Sequence, residues 1–334
     1  MKKQIMTPKV LSYLAALAIL LALPHLIPFY HLSLVEEALA LSLWALGHNL
    51  LLRYTGVLSF GHAAYFAAGA YAVGLINMYW PEYLDFGTAL AGALALSGLL
   101  AALFGWLCVR HTKVFFSILT LALSMLVFAV LEKAYHITGG SDGIRIPIPT
   151  FFGYEFEGMR RFQFLSGPYY YILLGVFGLG VMVMMAVVNS PFGKALQATR
   201  DNELRAEMIG IRVKRFRWYA FVISGMFSGL SGAVWSFTSG HITPEICHWV
   251  FSGEVVYMVL LGGFYIFEGP IIGSILFTYL KIYSVALTEY WMLIMGGTLV
   301  ILVLALPGGV TGGVSDLISL LRRNAKPARE ESHA

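Results

Sequence analysis

The side chains able to do chemistry in this 334-residue chain are few, and they stand in strongly apolar surroundings. His48 and Asn49 close one apolar run, and Ser59 and His62 open the next. Polar groups at such positions are costly in hydrocarbon, so they mark internal hydrogen-bond networks or a wet path. These four offer donors and acceptors without a fixed strong charge, which suits an uncharged or net-neutral polar solute. Glu254 and Lys281 are ionisable within apolar runs and would satisfy each other if their helices adjoin. Glu36 and Glu37 are adjacent, so they do not share a helical face as a working acid/base pair would. A solvated helix end accounts for them. His241, Cys247 and His248 cluster, but they fall short of a four-ligand metal set.

Catalytic signatures are missing. The chain holds no His-Glu-x-x-His, and its one Gly-x-Ser-x-Gly match, Gly139-Gly140-Ser141-Asp142-Gly143, lies in a turn-rich loop rather than at a strand-to-helix elbow. Gly193-Lys194 lacks both the upstream glycine and the following hydroxyl residue of a phosphate loop. Leu230-Ser231-Gly232 lies in an apolar run and reads as helix packing. No cofactor, metal or catalytic residue is expected.

Composition says what must position these groups. Hydrophobic residues make up 58% and charged residues 12%, with mean hydropathy +0.76. A soluble domain carries roughly 25% charged residues, so lipid is the solvent. The two cysteines are too few for a disulfide framework. Reading for runs near ~20 residues gives about ten transmembrane or re-entrant helices, an all-α polytopic protein. The runs are Val10–Phe29, Leu34–Leu52, Val57–Trp80, Phe86–Val109, Val114–Leu131, Pro168–Val188, Trp218–Thr238, Trp249–Phe267, Gly269–Leu287 and Tyr290–Leu306. Only Glu268 separates the pair within Trp249–Leu287, so two full spans and a re-entrant hairpin both fit. The implied layout is a cytoplasmic N-terminus over 1–9, a membrane domain over 10–307 and a cytoplasmic tail over 308–334. Seventeen of the 22 Lys and Arg residues then lie inside, as the positive-inside rule requires. That is the layout of a multi-pass inner-membrane protein.

Two loops interrupt the runs. The outer one, 134–167, carries Gly139, Gly140, Gly143, Pro147 and Pro149 and reads as an ordered cap. The inner one, 189–217, holds a short helix, with Asp201 or Asn202 as N-cap, Glu203 in the first turn and Gly210 at its close. Leu204 and Met208 share one face, with Glu203 and Glu207 beside it. About eight residues are too few for a helix that stands alone. Anionic lipid or a cytosolic partner would support it equally well. Gly225, Gly229 and Gly232, with Gly269 and Gly273, form small-residue stripes suited to close helix packing.

Ordered motifs add a resemblance. Phe192-Gly193-Lys194-Ala195-Leu196-Gln197-Ala198-Thr199-Arg200-Asp201-Asn202-Glu203, then Arg205-Ala206-Glu207 and Ile209-Gly210-Ile211, resemble the cytoplasmic loop of branched-chain amino acid ABC permeases of the LivM type. Asn49-Leu50-Leu51, Gly56 to Phe66, Thr138 to Gly143, Ala220 to Ser224 and Gly229 to Ala233 are similar in order and topology. The likeness covers roughly residues 35–315. Lys194 stands where the family usually has arginine, and Phe264-Tyr265-Ile266-Phe267-Glu268 replaces a glycine-rich stretch.

The resemblance implies an ABC importer permease fold and a branched-chain or other neutral amino acid as solute. Urea, short amides and aromatic acids are the alternatives within the family. A stand-alone secondary transporter is the alternative class. Implied partners are a sister permease in a heterodimer, two cytosolic ATP-binding subunits that use the ATP, an external solute-binding protein and membrane lipid. Nucleic acid is not among them. Asn202, Glu203, Leu204, Glu207, Met208 and Gly210 would then form the ATPase-coupling helix. His48, Asn49, Ser59 and His62 would be candidates for the path.

Overall fold

The computed structural model describes residues 8–314 except Thr112, Phe152, Glu157 and Pro307. The N-terminal lysines Lys2 and Lys3, and the tail from Ser315 onward, lie outside the described residues. Fourteen helices are described in chain order: α1 Pro8–Leu26, α2 Phe29–Asn49, α3 His62–Tyr79, α4 Phe86–Cys108, α5 Lys113–Lys133, α6 Tyr135–Thr138 and α7 Arg161–Phe164. Then follow α8 Tyr170–Asn189, α9 Pro191–Asp201, α10 Glu203–Met208, α11 Val213–Ser239, α12 Trp249–Gly262, α13 Gly269–Leu287 and α14 Trp291–Ala305. The protein is a polytopic helical bundle.

Six helical stretches are long and apolar enough to cross a membrane: Phe86–Cys108, Val114–Lys133, Arg161–Asn189, Val213–Ser239, Gly269–Leu287 and Trp291–Val314. The expected ten is therefore not established. α12 has 14 residues and rises about 21 Å, short of the ~30 Å hydrocarbon core. Gly263, at φ 100°, ends it, and residues 264–268 turn the chain into α13.

α11 is the axis of the bundle. Its apolar window is 72% buried, against 33% or less for the other five, and it packs on α2, α3 and α4. Glycines make this possible. A Cβ on Gly69 would sit 1.9 Å from the Gly229 carbonyl oxygen, and one on Gly232 would sit 2.0 Å from that of Phe66. Hydrocarbon supplies no hydrophobic force between helices, so such contacts and buried hydroxyls hold them together. Ser231 donates to the Ala40 carbonyl at 2.6 Å, tying α11 to α2. Gly225 faces Ala101 of α4, while Gly269 and Gly273 lie against the backbone of Gly263 and Met258. The lipid side is apolar: Phe115 and Ile118 on α5 and Leu293 and Leu304 on α14 are all exposed.

Several boundaries differ from the sequence reading, each for a physical reason. The run Val57–Trp80 is not one helix. Leu50–Thr55 forms a π-helix that Gly56 ends at φ 71°, and α3 starts only at His62. The non-helical 56–61 segment is satisfied by α5: Ser117 donates to the Leu58 carbonyl at 2.6 Å and Thr120 accepts from Phe60 N at 3.3 Å. α11 begins at Val213 rather than Trp218, because its basic first turns continue the helix outside the apolar window. Residues 308–314, placed above in the cytoplasmic tail, pack on the end of α12. Thr311 donates to the Gly262 carbonyl at 2.6 Å, and Gly309 lies against Gly263 where no side chain would fit. Glu36 is not at a solvated helix end, since it is fully buried.

The 134–167 loop is tied down. Strand β1 (Ile144–Arg145) pairs antiparallel with β2 (His241–Ile242). The Arg161 guanidinium donates to the carbonyls of Ile146 and Phe237, beneath Gly240.

Candidate functional site

The four residues proposed for a path converge where α2, α3 and α11 meet, and all are buried. His62 is fully engaged. Its Nδ1 lies 2.9 Å from Ser59 Oγ and its Nε2 lies 2.7 Å from Ser224 Oγ. Ser224 donates its one proton to the Gly47 carbonyl at 2.6 Å, so it must accept from His62 Nε2–H. Nδ1 is then the acceptor, taking the Ser59 proton, while Ser59 Oγ accepts from Gly61 N at 3.3 Å. This chain runs in one direction with every member satisfied and a neutral imidazole at its centre. It locks three helices together and leaves His62 no free atom for a solute.

His48 differs. Its ring meets that of His62 edge-on at 4.7 Å, and neither of its nitrogens has a partner. Asn49 Oδ1 is also unpartnered. These two orphaned groups sit directly before the π-helix, a feature that tends to mark functional positions. Apolar periodicity does not reveal it; only the following Gly56 hints at a break.

On the same side of the molecule, the 189–217 loop folds into two capped helices. Ser190 caps α9 by accepting from Gly193 N, with Pro191 at the first position. This Ser-Pro start is a readable N-terminal signal that the sequence reading missed. Asn202, not Asp201, caps α10, accepting from Arg205 N at 2.9 Å. Glu203 turns inward and forms a two-point ion pair with Arg217 of α11, at 3.0 and 2.9 Å. Arg200 reaches the Arg53 carbonyl at 2.7 Å, at the end of the π-helix. Ala206 is buried. Leu204, Met208 and Ile209 point outward, 70%, 84% and 70% exposed. Glu207 is exposed beside them, and Gly210 at φ 88° turns the chain away. The short helix is therefore braced on one face by α11 and by α9, which itself holds the π-helix, and is bare on the other.

At the opposite end, Glu254 and Lys281 do meet, with Nζ–Oε distances of 2.7 and 2.8 Å. They line a cleft of about 290 Å³ together with Glu37, Trp235 and Phe251. Glu37 and this cleft escaped the sequence reading, because nothing local places α2 beside α13. His241, Cys247 and His248 do not converge. His241 pairs with Arg145 in the ribbon, Cys247 is buried against Ser124, and His248 caps α12. Among the described residues no group of three His, Cys, Asp or Glu could hold a metal.

A multi-helix apolar bundle, held by small-residue contacts and carrying a braced but bare helix on one side, has the form of the membrane component of a transport system. The family model described as the branched-chain amino acid transport system / permease component matches residues 31–303, and the chain belongs to that family. It is 29% identical to the high-affinity branched-chain amino acid transport system permease protein LivM of Escherichia coli over 326 residues, covering 91% of this chain and 75% of the relative. The LivM protein of Salmonella typhimurium is 28% identical over 317 residues, 90% and 74% of the two chains. The guanosine ABC transporter permease protein NupQ of Bacillus subtilis is 25% identical, covering 60% and 64%. No solved structure matches. The relatives are named as permease proteins of transport systems, and this chain is a multi-pass membrane permease of that family.

Proposed function

We propose that this chain is one half of the membrane path of a binding-protein-dependent importer for branched-chain or similar neutral amino acids. It pairs with a sister permease, and two partner ATPases hydrolyse the ATP. Both termini and the 189–217 loop face the cytoplasm of a bacterial inner membrane, and the helices cross it or re-enter it about ten times, the short ones buried among the long. The permeases for branched-chain amino acids that match nine-tenths of the chain support the solute class.

The observation that carries the coupling role is the two-sided character of α10. Its Glu203–Arg217 ion pair fixes it to the bundle's central helix while Leu204 and Met208 are left bare. An ATPase groove that receives those two side chains would move α10, and α11 would carry the motion to α2 and α3 through the Ser224–His62 chain. Anionic lipid is the rival support, but Glu207 beside the bare face would be repelled by it, Glu203 being paired with Arg217. Reconstitution of the full complex in vesicles tests the proposal. ATP-driven leucine uptake should require every component. The isolated chain hydrolysing ATP, or admitting leucine without the ATPases, would overturn it.

A further inference from the structure

The cleft between α2, α11, α12 and α13 has a chemistry that helix packing does not require. Its walls include Leu41, Phe251, Ile282 and Val285, and it holds three charged side chains, Glu37, Glu254 and Lys281. Charged groups at membrane depth rarely face lipid, and residues 114–131 of α5, like the whole of α14, contain none. Yet the Lys281 side chain is 31% exposed, so the cleft is open at its mouth. The charges are unbalanced, with two carboxylates against one ammonium. Two of the three ammonium protons go to the Glu254 oxygens, and the third has no hydrogen-bond acceptor, the ammonium lying 5.8–5.9 Å from the rings of Phe251, Phe277 and Trp291. Glu37 receives a single weak hydrogen bond, from the Trp235 indole at 3.4 Å.

We infer that this cleft is a solute-contact site for a zwitterionic amino acid with an apolar side chain. The solute's ammonium sits on Glu37, its carboxylate takes the third proton of Lys281, and its side chain lies along Phe251, Leu41 and Val285. The inference rests on the transport reading above and adds to it where the solute is held. It also moves the contact away from Ser59 and His62, whose polar atoms are already committed.

The test uses the complete transporter in phosphatidylcholine vesicles. A Val285→Cys reporter on the cleft wall is labelled with a cationic or an anionic methanethiosulfonate, Cys108 and Cys247 being buried. The cationic reagent should react about tenfold faster, in keeping with one charged contact. Glu37→Gln should abolish that preference, and leucine should protect the reporter better than 4-methylpentanoate or 3-methylbutylamine. Equal rates for the two reagents, or equal protection by the three compounds, would overturn the site. A phosphatidylethanolamine headgroup carries the same pair of charges. Protection by that lipid but not by leucine would assign the cleft to lipid and also defeat the inference. Leucine uptake by the same wild-type vesicles reports separately on the transport reading, so the two can fail independently.

Discussion

Ser224 is the residue on which three helices depend, because it accepts from His62 and donates to the Gly47 carbonyl. Removing its hydroxyl strands a buried donor and a buried acceptor, at about 1–3 kcal/mol each. Ser224→Ala should therefore lower the thermal midpoint of the purified protein by several degrees, whereas Ser228→Ala should change it little. Ser228 bonds only within its own helix, to the Ser224 carbonyl. Equal midpoints for the two variants would show that the inter-helix chain adds nothing. The Lys281–Glu254 pair makes a second residue-scale case. Lys281→Met alone leaves a buried carboxylate uncompensated and should cost about 3 kcal/mol, the lower end for broken buried pairs because the lysine is partly exposed. Adding Glu254→Gln should recover most of that loss. A double variant no more stable than Lys281→Met would show that the cost is packing rather than charge.

Among the elements, α10 carries the sharpest test. Gly210 holds φ 88°, but a Cβ there would meet nothing within 4 Å. Substitution therefore strains the backbone without a clash, by roughly 1–2 kcal/mol for an ordinary residue. Asn tolerates the left-handed region far better than Val. In vesicles carrying the full complex, Gly210→Val should lose most ATP-driven uptake while Gly210→Asn retains it, with both proteins inserted at normal level. Glu207→Lys should also uncouple hydrolysis from uptake, since it reverses the charge beside the Leu204–Met208 face. Normal uptake by Glu207→Lys would remove that residue from the docking role.

For the whole molecule, the distribution of Lys and Arg specifies an orientation that labelling can check. Ser141 and Glu207 are both exposed, at opposite ends of the bundle. A cysteine at Ser141 should react with an impermeant thiol reagent added to cells whose outer membrane is opened, and one at Glu207 should not. The reverse pattern would invert the topology. Membrane class, helical content and most helix positions were legible in the sequence because hydrocarbon imposes them locally: each span must be apolar and must satisfy its own backbone. The capped α10, its bare Leu204–Met208 face and its exit at Gly210 were legible for the same reason, since caps, faces and turns are set by nearest neighbours. The tertiary structure alone decided the rest. The 56–61 break is supported by Ser117 and Thr120 of α5, which take up the Leu58 carbonyl and the Phe60 N–H. Glu203 bonds Arg217, Glu36 is buried, and Glu37, Glu254 and Lys281 share a cleft, because separate helices bring them together. Apolar runs record which segments lie in lipid but not how they are rotated against one another, and that rotation settles which polar groups meet.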